Sequence, residues 1–319
     1  MKFAFVFPGQ GSQSVGMMQA WEGRAEVRQT FSEASDALGL DLWRVVSEGP
    51  AELLNQTLHT QPAMLAADVA VWRVWCAAGG KLPVIMAGHS LGEYAALVAA
   101  GALDFTDAIQ LVRFRAEAMQ NAAPEGVGAM AAILGLDDEI VMEVCREVAE
   151  GEVVEAVNLN SPGQIVIAGH QAAVERAMVR ALEKGAKRAL ALAVSVPSHS
   201  SLMLPAAEKL LEHLQTIKIV PPTITVLHNT DIASHNSGES IRRALALQLH
   251  TPVRWAETVQ TLKKAGAEYV IECGPGKVLA GLTKRIDAGL SAVALVDEAS
   301  LQNALTICDR TLATSVVAK

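Results

Sequence analysis

Aromatic side chains are scarce in these 319 residues: Phe, Tyr and Trp make up 4% of them, with only two tyrosines. Hydrophobic content nevertheless reaches 51%, so Ala, Val and Leu must fill the core. Cysteine is also scarce, and Cys76, Cys145, Cys273 and Cys308 stand far apart without a C-x-x-C pair. That spacing excludes a disulfide framework and a zinc-ligand set, so no metal is expected and reduced thiols in a cytoplasmic protein are. Positive charge is in deficit, since 26 Lys and Arg against 34 Asp and Glu give a formal net charge of −8. Such a balance excludes a nucleic-acid partner held by general phosphate attraction, and an anionic ligand would need a local basic patch. No apolar run reaches the ~18 residues of a membrane-spanning helix. The stretch Met1-Lys2-Phe3-Ala4-Phe5-Val6-Phe7-Pro8 is too short in its apolar part for a signal peptide and reads as a buried first strand.

Glycine is placed where it matters. Val84-Ile85-Met86-Ala87-Gly88 is an apolar run, His89-Ser90-Leu91 follows, and Gly92 opens an Ala- and Leu-rich helical segment. This is G-x-S-x-G between a strand and a helix, the setting of a nucleophile elbow. A tight turn lifts the Ser90 hydroxyl clear of the backbone, and glycines on both sides remove Cβ atoms that would collide there. The helix start offers free N–H groups and a positive dipole end to an anion forming beside the serine. A serine that merely caps the helix would show the same local pattern.

The length calls for two domains or one large domain with an insertion. Phe3 to Phe7 is a strand, and the Gly9-Gln10-Gly11 loop after it is no dinucleotide site, since Ser14 stands where the third glycine belongs. Helices are expected from Trp21 to Leu38, from Pro62 to Gly79-Gly80 and from Asp104 to Met119. Between Ala129 and Val194 the order is strand, helix, strand, strand, helix, strand, the ferredoxin-like pattern. Residues 125–195 therefore read as an inserted subdomain, with 1–124 and 196–319 forming the core. The remainder supplies strands near 223–228, 269–273 and 292–296 and helices between them, the last fraying near Ser315. Alternating strands and helices mean a mostly parallel sheet with helices on both faces. Ligands of such sheets gather at the carboxyl ends of the strands, where Gln10, Ser90 and His199 fall.

A serine nucleophile needs a base. Of eight histidines, His89 adjoins the serine but points elsewhere on an elbow. His199 follows a proline turn at the exit of the insertion, and the other six show no special setting. No acid stands in the usual Ser–Asp–His order. Arg115 by itself reads as an exposed helix arginine.

Phe7-Pro8-Gly9-Gln10-Gly11-Ser12-Gln13, Gly88-His89-Ser90-Leu91-Gly92-Glu93, Pro197-Ser198-His199 and Gly274-Pro275-Gly276 together resemble the bacterial malonyl-CoA:acyl carrier protein transacylases of type II fatty acid synthesis. The resemblance runs from about residue 2 to about residue 297. It implies a hydrolase-like α/β core with a mostly parallel sheet plus an inserted ferredoxin-like subdomain, working without a cofactor. It also implies Ser90 as the acylated nucleophile and His199 as its general base, oriented by a backbone carbonyl near Gln248 in place of an acid. The matching oxyanion hole is built from the backbone N–H groups of Gln10 and Leu91, and Arg115 pairs with the malonyl carboxylate. Malonyl-CoA and acyl carrier protein are the implied partners, with no nucleic acid and no membrane, and a monomer is expected. Ser198 occupies a position that varies with acyl choice among related polyketide acyltransferases. A serine hydrolase or thioesterase would share the elbow, and a polyketide or malonate-decarboxylase loading subunit would share all four motifs.

Overall fold

The computed structural model describes residues 2–124, 126–194 and 196–309. Among the described residues, nine strands form two sheets. In chain order they are β1 (Phe3–Phe7), β2 (Ile85–Gly88), β3 (Gly128–Leu134), β4 (Val154–Ser161), β5 (Gln164–His170), β6 (Arg188–Ala191), β7 (Thr225–Leu227), β8 (Tyr269–Cys273) and β9 (Ser291–Leu295). The first sheet has the order β7-β2-β1-β8-β9, and every pairing in it is parallel.

β1 lies at its centre, and all five of its residues are buried. Phe3, Phe5 and Phe7 face one core, while Ala4 and Val6 face a second core on the other side. That period-two split of an all-apolar strand is what a parallel sheet covered on both faces requires. The few aromatics are concentrated here: the Phe5 ring packs edge-on against Trp72 at 5.4 Å and Trp75 at 5.1 Å.

Both tryptophans belong to the helix Thr57–Ala77, which is buried around most of its circumference. Sequence spacing places Pro62 at the start of this helix, but the helix begins at Thr57 and Pro62 lies inside it. A proline has no N–H for the carbonyl one turn earlier, here that of Leu58. Arg113 satisfies that carbonyl instead, its Nη1 donating at 3.2 Å. The helix expected from Trp21 departs in the opposite sense and starts later, at Ala25, after a short 3₁₀ turn over Gln19–Trp21.

The second sheet is antiparallel, with the order β4-β5-β3-β6. Helices Asp138–Val148 and Gln171–Glu183 cover one face through a small apolar core. This is the ferredoxin-like arrangement expected from the element order. The last strand is shorter than the sequence suggests, because its ladder with β3 ends at Ala191. The other face presents Met130, Val157, Val166 and Ala168. Val253 ties this sheet to the rest of the chain, accepting from Leu159 N and donating to Val157 O, both at 2.9 Å. The final helix is described over Glu298–Asp309, so the fraying expected near Ser315 lies outside the described residues. No helix among the described residues is long and apolar enough to cross a membrane.

Candidate active site

β2 ends at Gly88, and the helix Gly92–Ala99 starts four residues later. A Cβ on Gly88 would overlap the Gly92 carbonyl carbon, and one on Gly92 would overlap the Phe7 carbonyl oxygen. The two glycines therefore interlock the strand, the turn and the helix. Ser90 sits at the apex with φ 51°, a left-handed conformation unusual for a residue with a side chain. Asn229, just beyond β7, holds it there. The Asn229 side chain accepts from Ser90 N at 2.7 Å and donates to Gly88 O at 2.7 Å.

His199 also has a left-handed φ, 67°, fixed by its N–H donating to Leu249 O at 2.9 Å. Its Nδ1 lies 2.7 Å from Gln248 O, and its Nε2 lies 2.7 Å from Ser90 Oγ. A carbonyl can only accept, so Nδ1 carries the proton and Nε2 offers its lone pair to the serine hydroxyl. Burial, then the nearby Arg115 charge, push the His199 pKa down from 6.5 to about 3. At neutral pH the imidazole is unprotonated, as a base must be.

Arg115 is on the helix Phe105–Ala122 and is only 2% exposed. Its Nη1 donates to Gln61 Oε1 at 2.8 Å, and its Nη2 reaches Gln248 Oε1 at 3.0 Å and Ser90 Oγ at 3.3 Å. No carboxylate forms a salt bridge with it among the described residues, and its Nε lacks a partner. A buried guanidinium held by two neutral amides beside a serine is an open position for an anion. Arg113, two residues earlier, points the other way and pairs with Glu117 at 2.7 Å.

Ser90 N is consumed by Asn229, but the N–H groups of Gln10 and Leu91 donate to no protein acceptor among the described residues. Gly9 lets the Gln10 loop press against the elbow, since a Cβ there would strike His89 O and come within 3.6 Å of Leu91 N. Two free donors thus flank the serine. Gln10, His89, Ser90, Leu91, Arg115, Ser198 and His199 line a cavity of about 80 Å³, closed on the side of the second sheet by Met130, Asn158, Leu192 and Val194.

Five of the six residues singled out from sequence line this cavity, and the sixth, Gln248, stands behind it with its carbonyl on His199 Nδ1. His89 turns away from the reacting hydroxyl, its Nε2 meeting Asn160 Oδ1 at 2.8 Å and its ring facing Trp255. Sequence reasoning missed Asn229, Gln61 and the buried pair Glu93 and His228, whose Oε1 and Nδ1 are 2.7 Å apart. The one available signal was Glu93, an acid placed in an otherwise apolar helix directly after the elbow.

A family model described as the acyl transferase domain matches residues 4–300. The chain is 58% identical over 301 residues to the malonyl CoA-acyl carrier protein transacylase of Haemophilus influenzae, covering 94% of this chain and 96% of that protein. The same enzyme of Escherichia coli K12 is 55% identical over 307 residues, covering 96% and 99%. Among solved structures, an acyl-carrier-protein S-malonyltransferase from Burkholderia pseudomallei superposes with a TM-score of 0.94 at 58% identity, covering 96% of this chain and 100% of that one. A malonyl-transacylase solved in complex with its type II polyketide acyl carrier protein gives 0.95 at 56% identity, again over 96% and 100%.

Proposed function

Because this chain belongs to the acyl transferase domain family, we propose that it moves a malonyl group from coenzyme A to an acyl carrier protein through an ester on Ser90, for fatty acid biosynthesis. The observation that carries this reading is one Ser90 hydroxyl within reach of both a neutral imidazole, at 2.7 Å, and a buried arginine, at 3.3 Å. A hydrolase needs only the first, whereas an acyl group with a terminal carboxylate needs both.

His199 Nε2 takes the proton as Ser90 Oγ attacks the thioester carbonyl, and the carbonyl oxygen gathers negative charge between the N–H groups of Gln10 and Leu91. The C–S bond breaks, the thiolate of coenzyme A takes the proton from His199, and the malonyl ester remains on Ser90. The phosphopantetheine thiol of the carrier then gives its proton to His199 and attacks the ester, and Ser90 regains a proton as it leaves. Gln248 O keeps Nδ1–H in place throughout, so no carboxylate is needed behind the base. The narrow cavity with its apolar wall keeps water from the ester.

The division into 1–124 with 196–319 and an inserted 125–195 belongs to this proposal, supported by an antiparallel sheet drawn wholly from residues 128–191. So does action as a monomer, since one chain supplies nucleophile, base, arginine and both hole donors. A cytoplasmic location agrees with four cysteines that form no disulfide among the described residues and with thioester chemistry in a reducing compartment.

The test is the acyl preference of Arg115 variants. Stranding a buried carboxylate is costly, so Arg115→Ala lowers malonyl kcat/KM by about a hundredfold or more. Acetyl loading holds or rises, because the opposing cation is gone. Arg115→Lys recovers only part of the malonyl rate, lacking the two-pronged fork. Initial acylation rates with both thioesters decide it, and an equal fall in both makes Arg115 structural.

A further inference from the structure

Of the buried acids that the mechanism leaves unused, Glu93 is the one bonded to the site's own residues. Glu93 lies in the first turn of the helix after the elbow and is 0% exposed. Its Oε2 accepts from Asn229 N at 3.0 Å and from Gln248 Nε2 at 2.8 Å, and its Oε1 lies 2.7 Å from His228 Nδ1. Gln248 is therefore shared. Its Oε1 accepts from Arg115, and its Nε2 donates to Glu93 and to Ser90 O. The guanidinium and the carboxylate stand on opposite sides of a single carboxamide.

His228 does not neutralise Glu93. Its Nε2 is buried without a partner, and a protonated ring would strand a charged N–H at that position. A neutral ring donating from Nδ1 leaves only a lone pair unmet. His235 packs its ring 4.9 Å from that of His228, but it is committed to Asp231 at 2.9 Å. Among the described residues, the cation facing Glu93 across the shortest path is Arg115.

We infer that Glu93 is the counter-charge of Arg115, coupled through the Gln248 carboxamide, and that it limits how tightly the malonyl carboxylate is held. The inference rests on the malonyl reading of the site. A transferase must release its acyl group to a second acceptor, so binding that is equally tight before and during transfer slows turnover. Without Glu93 the empty site would carry a net positive charge and grip an incoming carboxylate harder. With Glu93 the site is balanced before malonyl arrives, and the arriving carboxylate feels a second anion nearby.

Glu93→Gln is the informative change, because it keeps the shape and an acceptor for Gln248 and Asn229 while removing the charge. The measurement is calorimetric binding of malonyl-CoA and acetyl-CoA in a Ser90→Ala background, where no ester forms. Adding Glu93→Gln should tighten malonyl-CoA about tenfold, the size of one like-charge repulsion across a partly screened site, and leave acetyl-CoA within about twofold. Local damage would weaken both ligands, so unchanged or weaker malonyl-CoA binding overturns the inference. The malonyl reading itself fails differently, if Ser90→Ala alone binds malonyl-CoA no better than acetyl-CoA. A second arm needs no ligand. Arg115→Gln strands Glu93 and lowers Tm, and Glu93→Gln added to it should restore most of the loss. A double variant less stable than Arg115→Gln overturns the pairing.

Discussion

At the scale of single residues the account turns on charge states in a dry site. His199 titrates at about 3 against an ordinary 6.5, chiefly through burial and then through Arg115. Acylation kcat/KM reports ionisations of the free enzyme, so its His199 limb stays level as pH falls from about 8 to about 5, where an unshifted imidazole would already be mostly protonated. In Arg115→Ala the repulsive contribution is gone, and the acid limb of acetyl loading moves to higher pH. A wild-type limb near 6.5 would contradict the geometry. Stability follows the same sign: below 6.5 the unfolded chain takes up a proton that the folded His199 refuses, so this contribution is lost as pH falls from 6.5 toward 3. Much of this was illegible in the sequence. Arg113 and Arg115 lie two positions apart on one amphipathic helix, and only packing against Gln61 and Gln248 tells them apart. Glu93 meets His228 across 135 positions, a separation that no local pattern encodes.

At the scale of elements, the elbow is a backbone device, and that is why it could be read. Glycine at 88 and 92 states a steric requirement that spacing shows directly, and the structure meets it by interlocking β2, the helix Gly92–Ala99 and the end of β1. Gly88→Ala should therefore cut acylation by about a hundredfold or more through displacement of Ser90 and should lower Tm. Gly281→Ala provides the control, since nothing lies within 4 Å of a Cβ there and alanine suits its helix. Equal activity in the two variants would refute the elbow. The small antiparallel unit was legible because its strands and helices alternate in one recognised order. The order of the parallel sheet was not, because β1 pairs with strands that come much later in the chain. Pro62 misled because its missing hydrogen bond is made good by Arg113, a residue from another helix.

At the scale of the molecule, a chain with net charge −8 can draw an anionic partner only through a local basic patch. Lys184, at the end of the helix Gln171–Glu183, is spent on Glu147 at 2.8 Å and Glu143 at 3.8 Å. Lys277 and Lys284 instead line an open cleft with Asp297, and the turn before them packs Gly276 against Ser12 near the Gln10 loop. Reversing both lysines to Glu should slow carrier acylation several-fold at low salt, with coenzyme A acylation kept, because rim charges act on association. Equal loss in both half-reactions would remove this face from carrier docking.

The two half-reactions share one covalent species, and its detection tests the whole account. The chain is exposed briefly to malonyl-CoA, freed of coenzyme A, weighed intact and peptide-mapped, then mixed with holo carrier protein and weighed again. The result expected is one malonyl group per chain on the peptide containing Ser90, absent from Ser90→Ala, that disappears as the carrier gains it. Label that survives in Ser90→Ala, or an adduct that yields free malonate in place of malonyl carrier, would contradict it.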